Sequence, residues 1–139
     1  MEKNIKRDAH CVYTINYYLV WILRYRRQVL VGVLAERLRA LFGEIATQYG
    51  FEILASEVLP DHVHLFVSVP PQYAPAQVVR LFKGSTSRRL KQEYPQIRQA
   101  YGGAHATLWA EGYYVGTAGH VSATTIRRHI EESQRRQRV

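Results

Sequence analysis

The run Asp61-His62-Val63-His64-Leu65-Phe66-Val67 sets two imidazoles two positions apart in an apolar, β-branched stretch. Successive side chains of a strand leave on opposite faces. Both histidines therefore share one face, and Val63, Leu65, Val67 and Val69 line the other. A rigid pair of imidazoles on an otherwise apolar strand is half of a divalent-metal site. Two nitrogen ligands leave an ion open, and an open ion can polarise a phosphate oxygen and orient a scissile bond. A third ligand and a nucleophile would then have to come from another element. The final helix is the source the sequence offers, because positions four apart on a helix face one way. A bare His-x-His reads more readily as one buried, hydrogen-bonded histidine beside a neighbour of no consequence. What surrounds the pair decides between the two.

The elements that would position the pair follow from periodicity. Val12 to Ile22 alternates as one strand, with Tyr13, Ile15, Tyr17, Leu19 and Trp21 on one face. The basic stretch Arg24-Tyr25-Arg26-Arg27 follows it. Leu34, Leu38, Leu41, Ile45 and Tyr49 recur at helical spacing up to a stop at Gly50. Phe51 to Val58 is a second strand, joined by the short turn Leu59-Pro60-Asp61 to the histidine strand, so these two pair antiparallel. Pro70-Pro71 ends that strand, and Pro75 opens a helix whose inward face is Val78, Leu81, Phe82, Ser85 and Leu90. Arg80, Lys83, Ser87, Arg88 and Lys91 would make the rest of its surface basic. Residues 95 to 110 read as irregular, Gly112 to Thr117 as a fourth strand, and Ser122 to Gln134 as a last helix, placed within 122–137. The order β-α-β-β-α-β, then α, is an α+β, ferredoxin-like (RRM-like) pattern: an antiparallel four-stranded sheet with helices on one face. His62 and His64 would stand on the free face of a central strand.

The chain's 139 residues, 47% of them hydrophobic, match one globular domain over 1–139 with its own core. No apolar run is long enough to span a bilayer, and the charged start lacks the apolar stretch of a signal peptide. The single cysteine, Cys11, forms no internal disulfide and suits a reducing cytoplasm; next to the first strand it is expected to be buried. Net charge is +8, and the chain has 10 tyrosines. Cationic side chains and aromatic faces together point to a nucleic-acid partner, against the plainer reading of a basic, soluble surface.

A series of segments in a fixed order makes the reading specific. It comprises Tyr18-Leu19-Val20-Trp21 leading to Arg24-Tyr25-Arg26-Arg27-Gln28-Val29-Leu30, and Glu57-Val58-Leu59-Pro60-Asp61-His62-Val63-His64-Leu65. Leu81-Phe82-Lys83-Gly84-Ser85, Ser87-Arg88-Arg89-Leu90 and Leu108-Trp109 continue it. Tyr113-Tyr114-Val115-Gly116-Thr117-Ala118-Gly119 and Thr125-Ile126-Arg127-Arg128 with Ile130-Glu131 complete it. Running through most of the chain, the series resembles the single-tyrosine HUH transposases of the smallest insertion sequences, including the REP-associated tyrosine transposases. HUH denotes His-hydrophobic-His, here His62-Val63-His64.

The resemblance implies DNA transposition by single-stranded DNA cleavage and rejoining. In such enzymes a tyrosine on the last helix attacks a DNA phosphate, forming a covalent 5′-phosphotyrosine and freeing a 3′-OH. Two histidines and a third polar ligand hold Mg²⁺ or Mn²⁺ at that phosphate. The resemblance further implies a homodimer that recognises hairpin ends, with no membrane partner, acting in the cytoplasm at the nucleoid. Arg24, Arg26, Arg27, Lys83, Arg88 and Arg89 are the residues expected to meet DNA.

The last helix departs from the pattern. Where Arg-Arg-Tyr-Ile-Glu-x-Gln is expected, this chain has Arg127-Arg128-His129-Ile130-Glu131-Glu132-Ser133-Gln134. His129 holds the place of the nucleophilic tyrosine, and Ser133 that of the glutamine expected as third metal ligand. Three readings stay open: a transposase fold that has lost cleavage, a histidine nucleophile acting through a phosphohistidine, and His129 as an extra metal ligand. The competing functions are a DNA-processing enzyme, a binding-only decayed or domesticated copy, and an RRM-like RNA-binding module. The last would need aromatics on both central strands.

Overall fold

The computed structural model describes residues 5–8, 10–103, 106–117 and 128. Strands β1 (Lys6–Asp8) and β2 (Cys11–Tyr13) form a small antiparallel hairpin. The main sheet is built from β3 (Asn16–Ile22), β4 (Glu52–Leu59), β5 (His62–Ser68) and β6 (Tyr114–Thr117), in the spatial order β4-β5-β3-β6. All its neighbours are antiparallel, and β3 and β5 are central. This is the expected ferredoxin-like arrangement. The helix predicted over 122–137, with His129 and Ser133, lies outside the described residues except for Arg128, which is helical.

Helices α1 (Gly32–Tyr49) and α2 (Pro75–Glu93) cover one face of the sheet. α1 buries Leu34, Leu38, Leu41 and Ile45, as their spacing predicts, and ends at Gly50, whose φ of 74° is the left-handed turn glycine makes at least cost. α2 starts on Pro75, and the Gln77 side chain accepts the Ala74 N–H at 2.7 Å, satisfying a free helix-end donor. Trp21 anchors the core, edge-on to Phe42 (5.9 Å) and to Trp109 (6.0 Å). No helix among the described residues is long and apolar enough to cross a membrane.

Five features differ from expectation. The strand read as Val12 to Ile22 is two elements, because Ile15 turns inward onto the core while its carbonyl accepts the Val69 N–H at 2.9 Å. β1 carries no apolar alternation and was not foreseen. Cys11 is partly exposed rather than buried, since its strand lies off the main sheet. The segment read as irregular contains a short helix, α3 (Pro95–Ala100).

The fifth concerns α2, which is covered on two sides. Ser87 and Lys91, expected on an exposed basic face, are buried, in contact with Tyr101, Gly103, Ala106 and Leu108. That irregular segment has carbonyls and amides with no ladder to join, and they must be satisfied locally. The Lys91 ammonium donates to the carbonyls of Tyr101 (2.8 Å), Gly103 (2.7 Å) and Ala106. Ser87 Oγ accepts the Leu108 N–H at 3.0 Å.

Lys91→Met keeps the buried stem and removes all three donors. Urea unfolding should show a loss of about 3 kcal/mol, the cost of stranding buried carbonyls; an unchanged midpoint would mean that water replaces the ammonium there.

Candidate metal centre and nucleic-acid interface

The antiparallel register places the histidines. Val20 lies opposite His64 and Ile22 opposite His62, while Leu19, Trp21, Val63 and Leu65 point into the core. His62 and His64 therefore project from the face away from α1 and α2, with ring centroids 5.0 Å apart. The neighbouring strands add Glu57, opposite His64, and Tyr114, opposite Val20.

Each imidazole is held through Nδ1. His62 Nδ1 is 2.7 Å from Asp61 Oδ1. Burial pushes the Asp61 carboxyl up, but the bonds and charges of His62 and Arg26 outweigh it and hold Asp61 below its usual range. An ionised carboxylate only accepts, so His62 in its neutral form carries its proton on Nδ1 and leaves Nε2 with a free lone pair. His64 Nδ1 is 2.6 Å from the Tyr18 hydroxyl. Burial, then neighbouring His62, hold His64 down to about 4, so the ring is neutral near pH 7. The nitrogen left over on both rings is Nε2, and two such nitrogens fit half of a metal site. Among the described residues, no group of three His, Cys, Asp or Glu side chains could complete it.

Glu57 is the feature of this face that sequence reasoning missed. It is 0% exposed, and neither carboxylate oxygen has a hydrogen-bond partner. A bulge puts it there. Ile53 lies opposite Val67, but Ala55 lies opposite Phe66, so the register shifts between Ile53 and Ala55. Without that shift Glu57 would oppose Val63 and enter the core. Burial pushes the Glu57 carboxyl up to about 7, against the opposing charge of Arg39. Burial, then the Glu57 charge, then Tyr114, push the Tyr18 phenol up. The signal available in the sequence was a lone acid in the apolar run Ile53 to Leu59.

The six basic residues separate into two sets. Arg24 and Arg27 flank the exposed ring of Tyr25, at 5.1 and 5.2 Å, and that ring stacks on Tyr101 at 5.8 Å. Tyr25 (φ 67°) and Arg26 (φ 49°) both occupy left-handed backbone, a cost for side-chain-bearing residues. Arg26 reaches Asp61 Oδ2 at 3.3 Å, which links the basic turn to the His62 anchor. Arg88 is exposed. Lys83 instead donates to the carbonyls of Ala110 (2.8 Å) and Gly112 (3.1 Å), fixing the approach to β6, and Arg89 pairs with Glu44 and Glu93.

The sequence pattern of IS200-like transposases matches residues 11–133. The ISDra2 transposase TnpA of Deinococcus radiodurans is 38% identical over 127 residues, 91% of this chain and 89% of that protein. A Salmonella typhimurium transposase of insertion sequence IS200 is 26% identical over 132 residues, 93% and 86% of the two chains. A crystal structure of a Deinococcus radiodurans R1 protein described as a candidate transposase is similar at a TM-score of 0.75 and 36% identity, covering 92% of this chain and 97% of the other. A REP-associated tyrosine transposase bound to a REP hairpin shares the fold at a TM-score of 0.59 and 18% identity, over 90% and 69%.

Glu57 and His64 have opposite linkage signs. Glu57, raised from 4.5 to about 7, keeps its proton in the folded state, so its contribution falls as pH rises from 4.5 to 7. His64, lowered from 6.5 to about 4, stays neutral when folded, so its contribution is lost as pH falls across that window. The slopes oppose where the windows overlap. Glu57→Gln removes the first term. Urea unfolding should find it more stable than the parent by up to about 3 kcal/mol above pH 7, with the gap closing below pH 4.5. Parallel pH profiles for the two proteins would contradict this assignment.

Proposed function

The chain belongs to the IS200-like transposase family, whose work is DNA transposition, and on that premise we propose that it is a metal-dependent enzyme of single-stranded DNA. It recognises hairpin ends as a homodimer, in the cytoplasm at the nucleoid, and its own cleavage step is impaired. The observation that carries this reading is the pair of histidines with both Nδ1 atoms engaged and both Nε2 atoms left over. A bound Mg²⁺ or Mn²⁺ would polarise a phosphate oxygen and orient the scissile bond. His62 and His64 hold that ion, and Asp61 and Tyr18 hold the histidines. Arg24 and Arg27 contact the DNA backbone beside the face, with Arg26 and Arg88 on the same polyanion. Hairpin recognition is supported by the family resemblance and by a neighbour of the same fold that was solved with a REP hairpin.

The impairment rests on His129 and Ser133. An imidazole in place of a phenol is shorter and cannot form the phosphotyrosine that conserves the bond energy for rejoining. A serine hydroxyl in place of a glutamine carbonyl is a poorer third donor to a hard cation. The RNA-binding alternative loses support on this face, because Phe66 is fully buried and Tyr18 is tied to His64. Neither ring is free to stack on a base.

Labelled hairpin-bearing single-stranded DNA with Mn²⁺ tests the proposal. The parent should bind it but nick it poorly. His129→Tyr, and more fully His129→Tyr/Ser133→Gln, should raise nicking on the order of 10²-fold or more, and His62→Ala should abolish the gain. Strong nicking by the parent that His62→Ala removes would refute impairment. Better binding of structured RNA than of hairpin DNA by every form would refute the DNA reading.

Salt titration separates the basic residues. Arg24→Ala and Arg27→Ala should each weaken hairpin binding and lower the slope of log K against log salt by about 1. Lys83→Ala should leave that slope unchanged, because its ammonium already serves two carbonyls.

A further inference from the structure

Neutral imidazole has one N–H, and only the bare nitrogen can bind a metal. For His62 the tautomer is fixed by a carboxylate that can only accept. For His64 it is not fixed by its partner, because the Tyr18 hydroxyl at 2.6 Å can either donate or accept. If Tyr18 donates to Nδ1, the proton sits on Nε2 and the metal-facing nitrogen is blocked. If Nδ1–H donates to Tyr18, Nε2 is bare, and the Tyr18 O–H must point to some other acceptor.

Two buried side-chain acceptors on this face have no partner among the described residues, Asn16 Oδ1 and the Glu57 carboxyl, and of these Glu57 is the one paired directly with His64. Glu57 lies across from His64, its two oxygens are buried without partners, and its charge is felt at the Tyr18 phenol. A buried carboxylate that serves nothing is expensive to keep. The β4 bulge turns Glu57 out of the core and onto the histidine face. We propose that Glu57 is a positioning residue: an unprotonated oxygen of its carboxyl group accepts a hydrogen bond from the Tyr18 hydroxyl, which obliges Tyr18 to accept from His64 Nδ1–H and so leaves His64 Nε2 bare for the metal. Tyr18 and Glu57 are not bonded in the structure, and the bond would have to close for this tautomer to be selected. His62 and His64 then have equivalent supports, Asp61 directly and Glu57 through Tyr18. This goes beyond the proposed function and rests on its reading of the histidines as metal ligands.

Two readouts test it on the full chain. Long-range ¹⁵N–¹H spectra of the imidazoles, taken without metal, report the His64 tautomer, and calorimetry reports Mn²⁺ affinity. The parent should show His64 with Nδ1–H. Glu57→Leu should shift His64 toward Nε2–H and weaken Mn²⁺ binding roughly 10–100-fold. Glu57→Gln, which keeps an acceptor oxygen, should preserve the parent tautomer. In a Tyr18→Phe background, Glu57→Leu should cost nothing further, because the link it acts through is gone. An unchanged tautomer in Glu57→Leu, or an equal loss of affinity with and without Tyr18, would overturn the proposal.

If Glu57→Leu does not fold, Tyr18→Phe alone decides the matter. It should move the Glu57 carboxyl ¹³C resonance, and no movement means no bond. A parent that takes up no Mn²⁺ would sink the metal reading while the tautomer spectra still judge this one.

Discussion

The pairing register between β3 and β5 is the constraint on which everything else here depends. Val20 opposite His64 and Trp21 opposite Val63 put imidazoles on one face and the aromatic core on the other. A slip of one residue would exchange the two faces, burying both histidines and exposing Val63, Leu65 and Val67. The apolar face resists that slip, since Leu19, Trp21, Val63, Leu65 and Val67 are all essentially inaccessible to solvent. The turn resists it too. The Leu23 N–H is bound to the Asp61 carbonyl at 2.8 Å and the Leu30 N–H to that of Pro60 at 2.9 Å. The residues that enter the basic turn thus clamp the loop that leads into the histidine strand.

The same clamp explains why Asp61 can do its work. An acid at the mouth of a turn, paired with an exposed arginine, would ordinarily contribute little. Here its backbone is fixed by Leu23, one oxygen faces Arg26 and the other faces His62. Orientation of an imidazole is worth more in such a place than the ion pair itself. Strain in the Tyr25-Arg26 backbone is tolerable for a related reason. The turn is held at Leu23, at the Arg24 N–H by the Leu108 carbonyl, and at Tyr25 by the ring of Tyr101. Local left-handed geometry persists only when its surroundings over-determine it.

Much of this was legible in the sequence, and the reasons for the remainder are physical. Alternation located the histidine strand and its faces, and helical spacing found both long helices, because burial of a single stripe imposes each period. The first strand was read too long, since Val12 to Ile22 keeps its alternation through the bend at Ile15 and periodicity cannot sense a change of partner. Lys91 and Ser87 were placed on a solvated face because their binding partners are main-chain carbonyls and an amide, which leave no trace in side-chain pattern. Glu57 escaped for a sharper reason. Its face depends on a bulge, and one inserted residue reverses the parity of every position beyond it.

That reversal bears on what the histidine face is for. A sheet that only needed to fold could have kept β4 regular and filled position 57 with an apolar side chain toward Val63. Instead the strand bends, Leu54 and Ala55 pack with Phe66 in a small second cluster, and a carboxylate is buried beside His64. The disrupted ladder and the unpaired buried carboxyl each cost stability on their own terms. Local departures of this kind, grouped around one pair of side chains, are expected where a site is built at the expense of the fold. The strained basic turn lies at the other end of the same face, joined to it by Arg26 and Asp61. The two irregularities bracket His62 and His64 from either side.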